Sequence, residues 1–273
     1  MNAVQAWSST SPPVVSRWDE VGEVSIHSRV GGAGPPVVLV HGYGVSGRYL
    51  LPLARVIAAQ CATYVPDLPG RGRRDRPAAA GGIGDLADAL GDWLDVVGLS
   101  SPAFVANSMG CQIVTELAVR RPQRVGPLVL IAPTVEPARR AARHQIFRAL
   151  HQSTHEPAGL VTLAFRDTAR RGVTGLHAMA RSALADRIEE RLPHIHQRTV
   201  VVHGGNDRFI SRQWAEEVAR LLPHGRLLVV PDGSHAVPYT HPSLVAGVVE
   251  QLIASNGAQG GVDWRVAKAP TRP

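Results

Sequence analysis

The chain has 273 residues, is 44% hydrophobic and 19% charged, and carries a formal net charge of +7. That composition is ordinary for a globular soluble protein with room for one large α/β domain and a sizeable core. Two cysteines, Cys61 and Cys111, exclude a disulfide framework, and no apolar run approaches the roughly 18 residues of a membrane span.

The positive charge is arginine rather than lysine, with Lys268 the single lysine, and aromatic residues make up only 5%. Without aromatics interleaved among the arginines there is no stacking platform for single strands, so nucleic acid is not an expected partner. Residues 1–13 lack the basic start and apolar block of a signal peptide, and a cytoplasmic location is expected. No cofactor motif and no metal-ligand spacing is present; His151 and His155 are four apart but lack the following Glu of a zinc-protease motif and read as surface helix.

In chain order, residues 1–18 are polar and Ser/Pro-rich and read as a flexible lead-in. Glu23 to Val30 alternates and predicts an antiparallel edge strand. Val37 to Val40 is a continuous apolar run of the kind buried on both faces, ending in His41-Gly42-Tyr43-Gly44. Helical spacing follows over 49–59, then a short strand over 62–65 ending at Asp67, a loop over 77–82, and an amphipathic helix over 85–97 closed by Gly98. Ala103 to Ala106 is another apolar run, leading directly into Asn107-Ser108-Met109-Gly110 and a helix. Leu128 to Ile131 is the next buried strand. This alternation predicts an α/β fold, a mostly parallel central sheet with helices on both faces.

The rhythm breaks over residues 134–197, which hold no apolar strand run and carry more arginines than carboxylates. The stretch is too long for a plain connection and reads as an inserted helical cap. Strands over 199–202 and 226–230 and helices over 212–222 and 243–254 then resume the pattern, with a loop over 231–241. The domain reading is therefore a core of 19–133 and 198–255, a cap of 134–197 and a disordered tail of 256–273.

Ligands meet a parallel sheet at the carboxyl ends of its strands. The polar residues just past those ends are His41 to Gly44, Asp67, Ser108, Asp207 and His235. Taken singly, Ser108 reads as a helix N-cap, Asp207 as a turn residue and His235 as a solvated loop residue. Together they stand in the order Ser, Asp, His, each at a predicted strand end. A serine hydroxyl needs a base to take its proton, and an imidazole needs an acid to fix its tautomer. Ser108 sits at the apex of a strand-to-helix turn with small neighbours, Ala106 and Gly110, where a nucleophile elbow has glycines. Glu136, just past the strand ending near Ala132, is the runner-up acid; Asp232 lies too close to His235 on the same loop.

Over about Val24 to Ala254 the chain resembles an α/β-hydrolase of the single-domain, capped type. The resemblance rests on His41-Gly42-Tyr43-Gly44, Asp67-Leu68-Pro69-Gly70-Arg71-Gly72, Ala106-Asn107-Ser108-Met109-Gly110, His203-Gly204-Gly205-Asn206-Asp207 and Gly233-Ser234-His235. It implies Ser108 as nucleophile, Asp207 as acid, His235 as base, and an oxyanion hole from the backbone N–H groups of Tyr43 and Met109. It further implies that His41 is structural. A serine at 108 argues against dehalogenase or epoxide hydrolase chemistry, which needs a carboxylate there. The elbow is similar to that of carbon–carbon bond hydrolases acting on vinylogous diketones, which commonly carry Trp after the histidine; here the residue is Ala236. The expected activity is hydrolysis of a small-molecule ester or related acyl compound through an acyl-enzyme, with the basic cap favouring a substrate carboxylate. The alternatives are carbon–carbon bond hydrolysis and a non-catalytic ligand-binding module of the same fold.

Overall fold

The computed structural model describes residues 12–69, 82–141, 152, 156–171 and 173–255. Its frame is an eight-stranded sheet: β1 (Val15–Val21), β2 (Val24–Gly31), β3 (Pro36–Val40), β4 (Ala62–Pro66), β5 (Ala103–Asn107), β6 (Leu128–Ile131), β7 (Thr199–Gly204) and β8 (Gly225–Val230). The spatial order is β1-β2-β4-β3-β5-β6-β7-β8. β1 pairs β2 and β2 pairs β4 antiparallel; every other neighbour is parallel. The registers Val40↔Ala106, Asn107↔Ile131 and Ile131↔Val202 bring the carboxyl ends of β3, β5, β6 and β7 level.

The helices are α1 (Leu51–Ile57), α2 (Ile83–Val97), α3 (Met109–Arg120), α4 (Ala158–Arg171), α5 (Val173–Ala185), α6 (Ile188–Arg191), α7 (Arg212–Leu221), α8 (Val237–Thr240) and α9 (Pro242–Ala254), with a 3-10 turn at Gly47–Leu50 before α1. The continuous apolar runs became strands buried on both faces because helices cover each side. Trp93 and Leu94 of α2 and Val114 and Leu117 of α3 are fully buried in that core. Gly98 ends α2 in the left-handed conformation at φ 76°. No helix among the described residues is long and apolar enough to cross a membrane.

Two expectations change. Residues 15–18 are not a loose lead-in: they open β1, which makes β1 the sheet edge and β2 an internal strand. β1 is held by a polar anchor instead of an apolar face. The buried Asp19 accepts hydrogen bonds from Trp93 Nε1 (3.0 Å) and Ser28 Oγ (3.3 Å). The expected loop over 231–241 also contains the short helix α8. Between β6 and β7 the described residues form helices and no strand. α4 seats on the core through Asp167, whose Oδ2 accepts from Ser46 N at 2.6 Å, and Thr168, whose hydroxyl donates to Gly44 O at 3.2 Å. Residues 1–11, most of the loop over 77–82, His151, His155 and the tail 256–273 lie outside the described residues.

Candidate active site

At the end of β5 the chain turns within one residue into α3. Ser108 occupies that residue with φ 57° and ψ −123°, a region L side chains rarely adopt. A β-carbon added at Gly110 would lie 2.6 Å from Val40 O, so only glycine lets the α3 backbone approach β3 this closely. At Gly42 a β-carbon would lie 3.1 Å from the Ser108 β-carbon, so the loop after β3 packs directly on the serine. Ala106, where the elbow pattern has glycine, is buried within β5. Ser108 makes no side-chain cap hydrogen bond to α3, so the N-cap reading does not hold.

Asp207 follows β7 and His235 follows β8. Gly204 and Gly205 let the two loops touch: β-carbons there would lie 2.3 Å from Ser234 O and 2.4 Å from Pro231 O. Asn206 N donates to Gly233 O (2.9 Å), locking the loops together. The Asp207 Oδ1 accepts from the amides of Phe209 (2.6 Å) and Ile210 (3.2 Å), which turns Oδ2 to His235 Nδ1 at 2.9 Å. The Asp207 carboxylate is fully buried and the Phe209 ring packs 4.9 Å from the imidazole. Burial favours the neutral imidazole, but the Asp207 charge and hydrogen bond, with the Glu156 charge, outweigh it and raise the His235 pKa above its usual value.

Ser108 and His235 line the same cavity, of about 280 Å³. Its walls are mostly apolar, with Val45, Leu160, Val161, Ala164, Phe209 and Ala236 among them. Two groups tie the walls together. The Tyr49 hydroxyl accepts from Gly42 N (3.1 Å) and donates to Asn107 Oδ1 (2.9 Å), while Asn107 Nδ2 donates to His235 O (3.2 Å). Glu156, just before α4, accepts from Ser234 Oγ (2.8 Å), Ala236 N (3.3 Å) and Gln152 Nε2 (2.6 Å). His41 stands behind the loop: Leu68 N donates to its Nε2 (3.2 Å), so its proton is on Nδ1, facing Gly42 O at 2.9 Å.

Residues 37–248 match the Alpha/beta hydrolase family. The chain belongs to that family.

Among curated relatives, polyketide synthase ThaQ of Burkholderia thailandensis is 28% identical over 257 residues, 82% of this chain. The chain spans only 12% of ThaQ and about 30% of the mycobacterial relatives it also matches. A pimeloyl-[acyl-carrier protein] methyl ester esterase of Nitrosomonas europaea is 25% identical over 255 residues, covering 84% of this chain and 99% of the esterase. The crystal structure of a membrane phospholipase A superposes with a TM-score of 0.78 at 22% identity, covering 90% of this chain and 87% of that one.

Not every strand-end residue of this α/β-hydrolase joins the cavity. Glu136 is held by Arg139 (3.2 Å) and by Ser211 N (3.4 Å), and Asp232 by His241 (3.3 Å), so neither is the partner of His235. Cys111 is buried, its Sγ against Ala106 O and Ile131 O, and burial pushes its pKa up, away from the reactive thiolate. Asp67 also stands apart. It binds Arg29 through both oxygens (3.2 and 3.1 Å), His27 Nδ1 (3.2 Å) and Gly47 N (2.8 Å). Burial opposes its charge, yet the His27 and Arg29 interactions hold its pKa well below the carboxylate range. Its contribution to stability is therefore complete above about pH 4, the unfolded value, and is lost as pH falls below it toward the folded value. Asp67→Ala leaves Arg29 buried without its counter-ion and destabilises the fold by about 3 kcal/mol, read as a lowered urea midpoint at neutral pH. A loss below about 1 kcal/mol would class the pair with surface bridges.

Proposed function

We propose that this α/β-hydrolase cleaves a small-molecule acyl ester through a covalent acyl-enzyme on Ser108. The observation that carries it is the 2.9 Å Asp207–His235 hydrogen bond behind a cavity that His235 shares with the strained Ser108. Ser108 Oγ attacks the acyl carbonyl while its proton passes to His235 Nε2. The tetrahedral oxyanion is held by the backbone N–H groups of Met109 and Tyr43, and the α3 N-terminus adds its dipole. Collapse expels the alcohol, which takes the proton from His235. Water, deprotonated by the same imidazole, then releases the acid and restores Ser108.

The helical segment before β7 is the cap over this cavity, and its apolar lining supports an uncharged acyl chain. The expected preference for a substrate carboxylate loses its support: no arginine lines the cavity among the described residues, and Glu156 does. Three arginines of the segment are held elsewhere, Arg140 by Glu189 (2.6 Å), Arg187 by Glu190 (3.0 Å) and Arg191 by Asp186 (2.7 Å). The likeness to an ester hydrolase over most of both chains supports the ester reading, and a similar likeness to a 2-(acetamidomethylene)succinate hydrolase keeps the carbon–carbon alternative open. A fluorophosphonate probe tests the proposal: one adduct per chain, mapped to Ser108 and absent from Ser108→Ala, is expected, and an unlabelled wild-type chain would leave the binding-module reading.

Glu156 gives a separable prediction. The rate on p-nitrophenyl butyrate requires neutral His235, so kcat/KM falls as pH drops through its raised pKa. Glu156→Gln keeps the shape and hydrogen-bonding positions but removes a charge that raises that pKa, so the acid limb shifts to lower pH. An unmoved limb would remove Glu156 from the electrostatics of the base.

A further inference from the structure

A second cavity, of about 530 Å³, lies on the other side of α4 from Ser108. Leu160, Val161 and Ala164 of α4 face the serine cavity, while Thr162, Leu163 and Arg166 line the second one. Its remaining walls include Arg48 of the 3-10 turn, Arg55 of α1, Tyr239 of α8 and, on β2, Arg29. Arg29 is neutralised by Asp67. The other three arginines are different: Arg48, Arg55 and Arg166 have no carboxylate within ion-pair distance among the described residues.

The contrast with the rest of the surface matters, because an arginine-rich chain scatters arginines everywhere. Many exposed arginines elsewhere sit beside carboxylates: Arg120 on Glu116 (2.7 Å), Arg121 on Asp92 (2.8 Å), Arg212 on Glu216 (2.9 Å) and Arg220 on Glu217 (2.5 Å); Arg181 and Arg208, which have no such partner among the described residues, line neither cavity. Around this cleft three guanidinium groups from separate elements line one space, and no carboxylate among the described residues balances them. A guanidinium presents parallel N–H donors that match tetrahedral oxyanions. A carboxylate, with one charge and two oxygens, leaves such a set unbalanced, whereas a phosphate group brings nearly two charges and three acceptor oxygens.

We propose that Arg48, Arg55 and Arg166 form a binding site for a phosphate group, separate from the serine cavity. Two sources share this chemistry: a free phosphorylated metabolite, and the phosphate of a phosphorylated acyl donor whose acyl end lies in the serine cavity across α4. The site itself is independent of the serine mechanism; only the second source rests on that reading.

Calorimetric titration of the full chain with pyrophosphate at low ionic strength tests the site. Saturable binding is expected, weakened at least about tenfold in the Arg55→Gln/Arg166→Gln double variant, since each lost charge-assisted hydrogen bond is worth about a factor of ten. Arg212→Gln/Arg220→Gln, which lowers the net charge equally on α7, should bind as the wild type does. Absence of saturable binding, or equal weakening by both double variants, overturns the proposal. Kinetics then assign the source. If the phosphate belongs to the substrate, Arg55→Gln/Arg166→Gln raises KM for butyryl-coenzyme A about tenfold and leaves kcat/KM for p-nitrophenyl butyrate unchanged. If pyrophosphate binding is lost with both esters unaffected, the ligand is a free phosphate compound. Failure of the serine mechanism looks different: neither ester turns over while pyrophosphate still binds.

Discussion

Ser108→Ala is expected to lower kcat on p-nitrophenyl butyrate by about a million-fold, leaving only the rate that binding and oxyanion stabilisation give without a nucleophile. The size follows from the role. Removing one oxygen removes the covalent route, and His235 has nothing to deprotonate except water held without the proper geometry. The folded state should survive, because the Ser108 side chain makes no cap hydrogen bond to α3. Alanine at φ 57° keeps the strain that the serine already carries, so a melting temperature close to wild type is expected beside the lost rate. If Ser108→Ala kept activity within about tenfold of wild type, the nucleophile would lie elsewhere and the acyl-enzyme mechanism would fail.

The parts of this fold most legible in the sequence are those where burial dictates composition. β3, β5, β6 and β7 are covered on both faces, so they must be continuously apolar, and their ends mark where polar side chains can meet. The elbow was legible for a related reason: the close approach of α3 to β3 permits only glycine at 110, a constraint visible as a residue type. β1 was not legible because Asp19, not an apolar stripe, anchors it; hydrogen bonds to Trp93 and Ser28 leave no periodic trace.

Asp67 shows why a strand-end position is insufficient evidence for a site. β4 has antiparallel β2 as a neighbour, and the register Ser28↔Pro66 places His27 and Arg29 on either side of the following carboxylate. They capture Asp67 before it can face Ser108. Asp207 follows β7, which lies between two parallel strands, so its neighbours at that edge are loops and its partner is the histidine of the next one. Glu156 was out of reach for a different reason. It approaches His235 from a helical segment whose docking depends on tertiary contacts such as Asp167 on Ser46, and no local pattern encodes them.

Asp207→Asn is the sharper test of how the site works, because its shape hardly changes. The amides of Phe209 and Ile210 can only donate, so the Asn oxygen takes the place of Oδ1 and its NH2 group takes that of Oδ2. That NH2 also can only donate, and it faces His235 Nδ1, which now must accept. The imidazole proton moves to Nε2, leaving no lone pair there to receive the serine proton. The expected loss in kcat at neutral pH is about ten thousand-fold, with the fold retained because both amide bonds and the side-chain volume remain. The His235 pKa also falls, since the buried carboxylate that opposed desolvation has gone, so the residual activity titrates at lower pH than in the wild type. Equal losses in Asp207→Asn and Asp207→Ala, with both variants melting as wild type, would still accord with the triad. A loss below about tenfold in Asp207→Asn would mean that the tautomer of His235 does not control the reaction, and that the 2.9 Å hydrogen bond is structural.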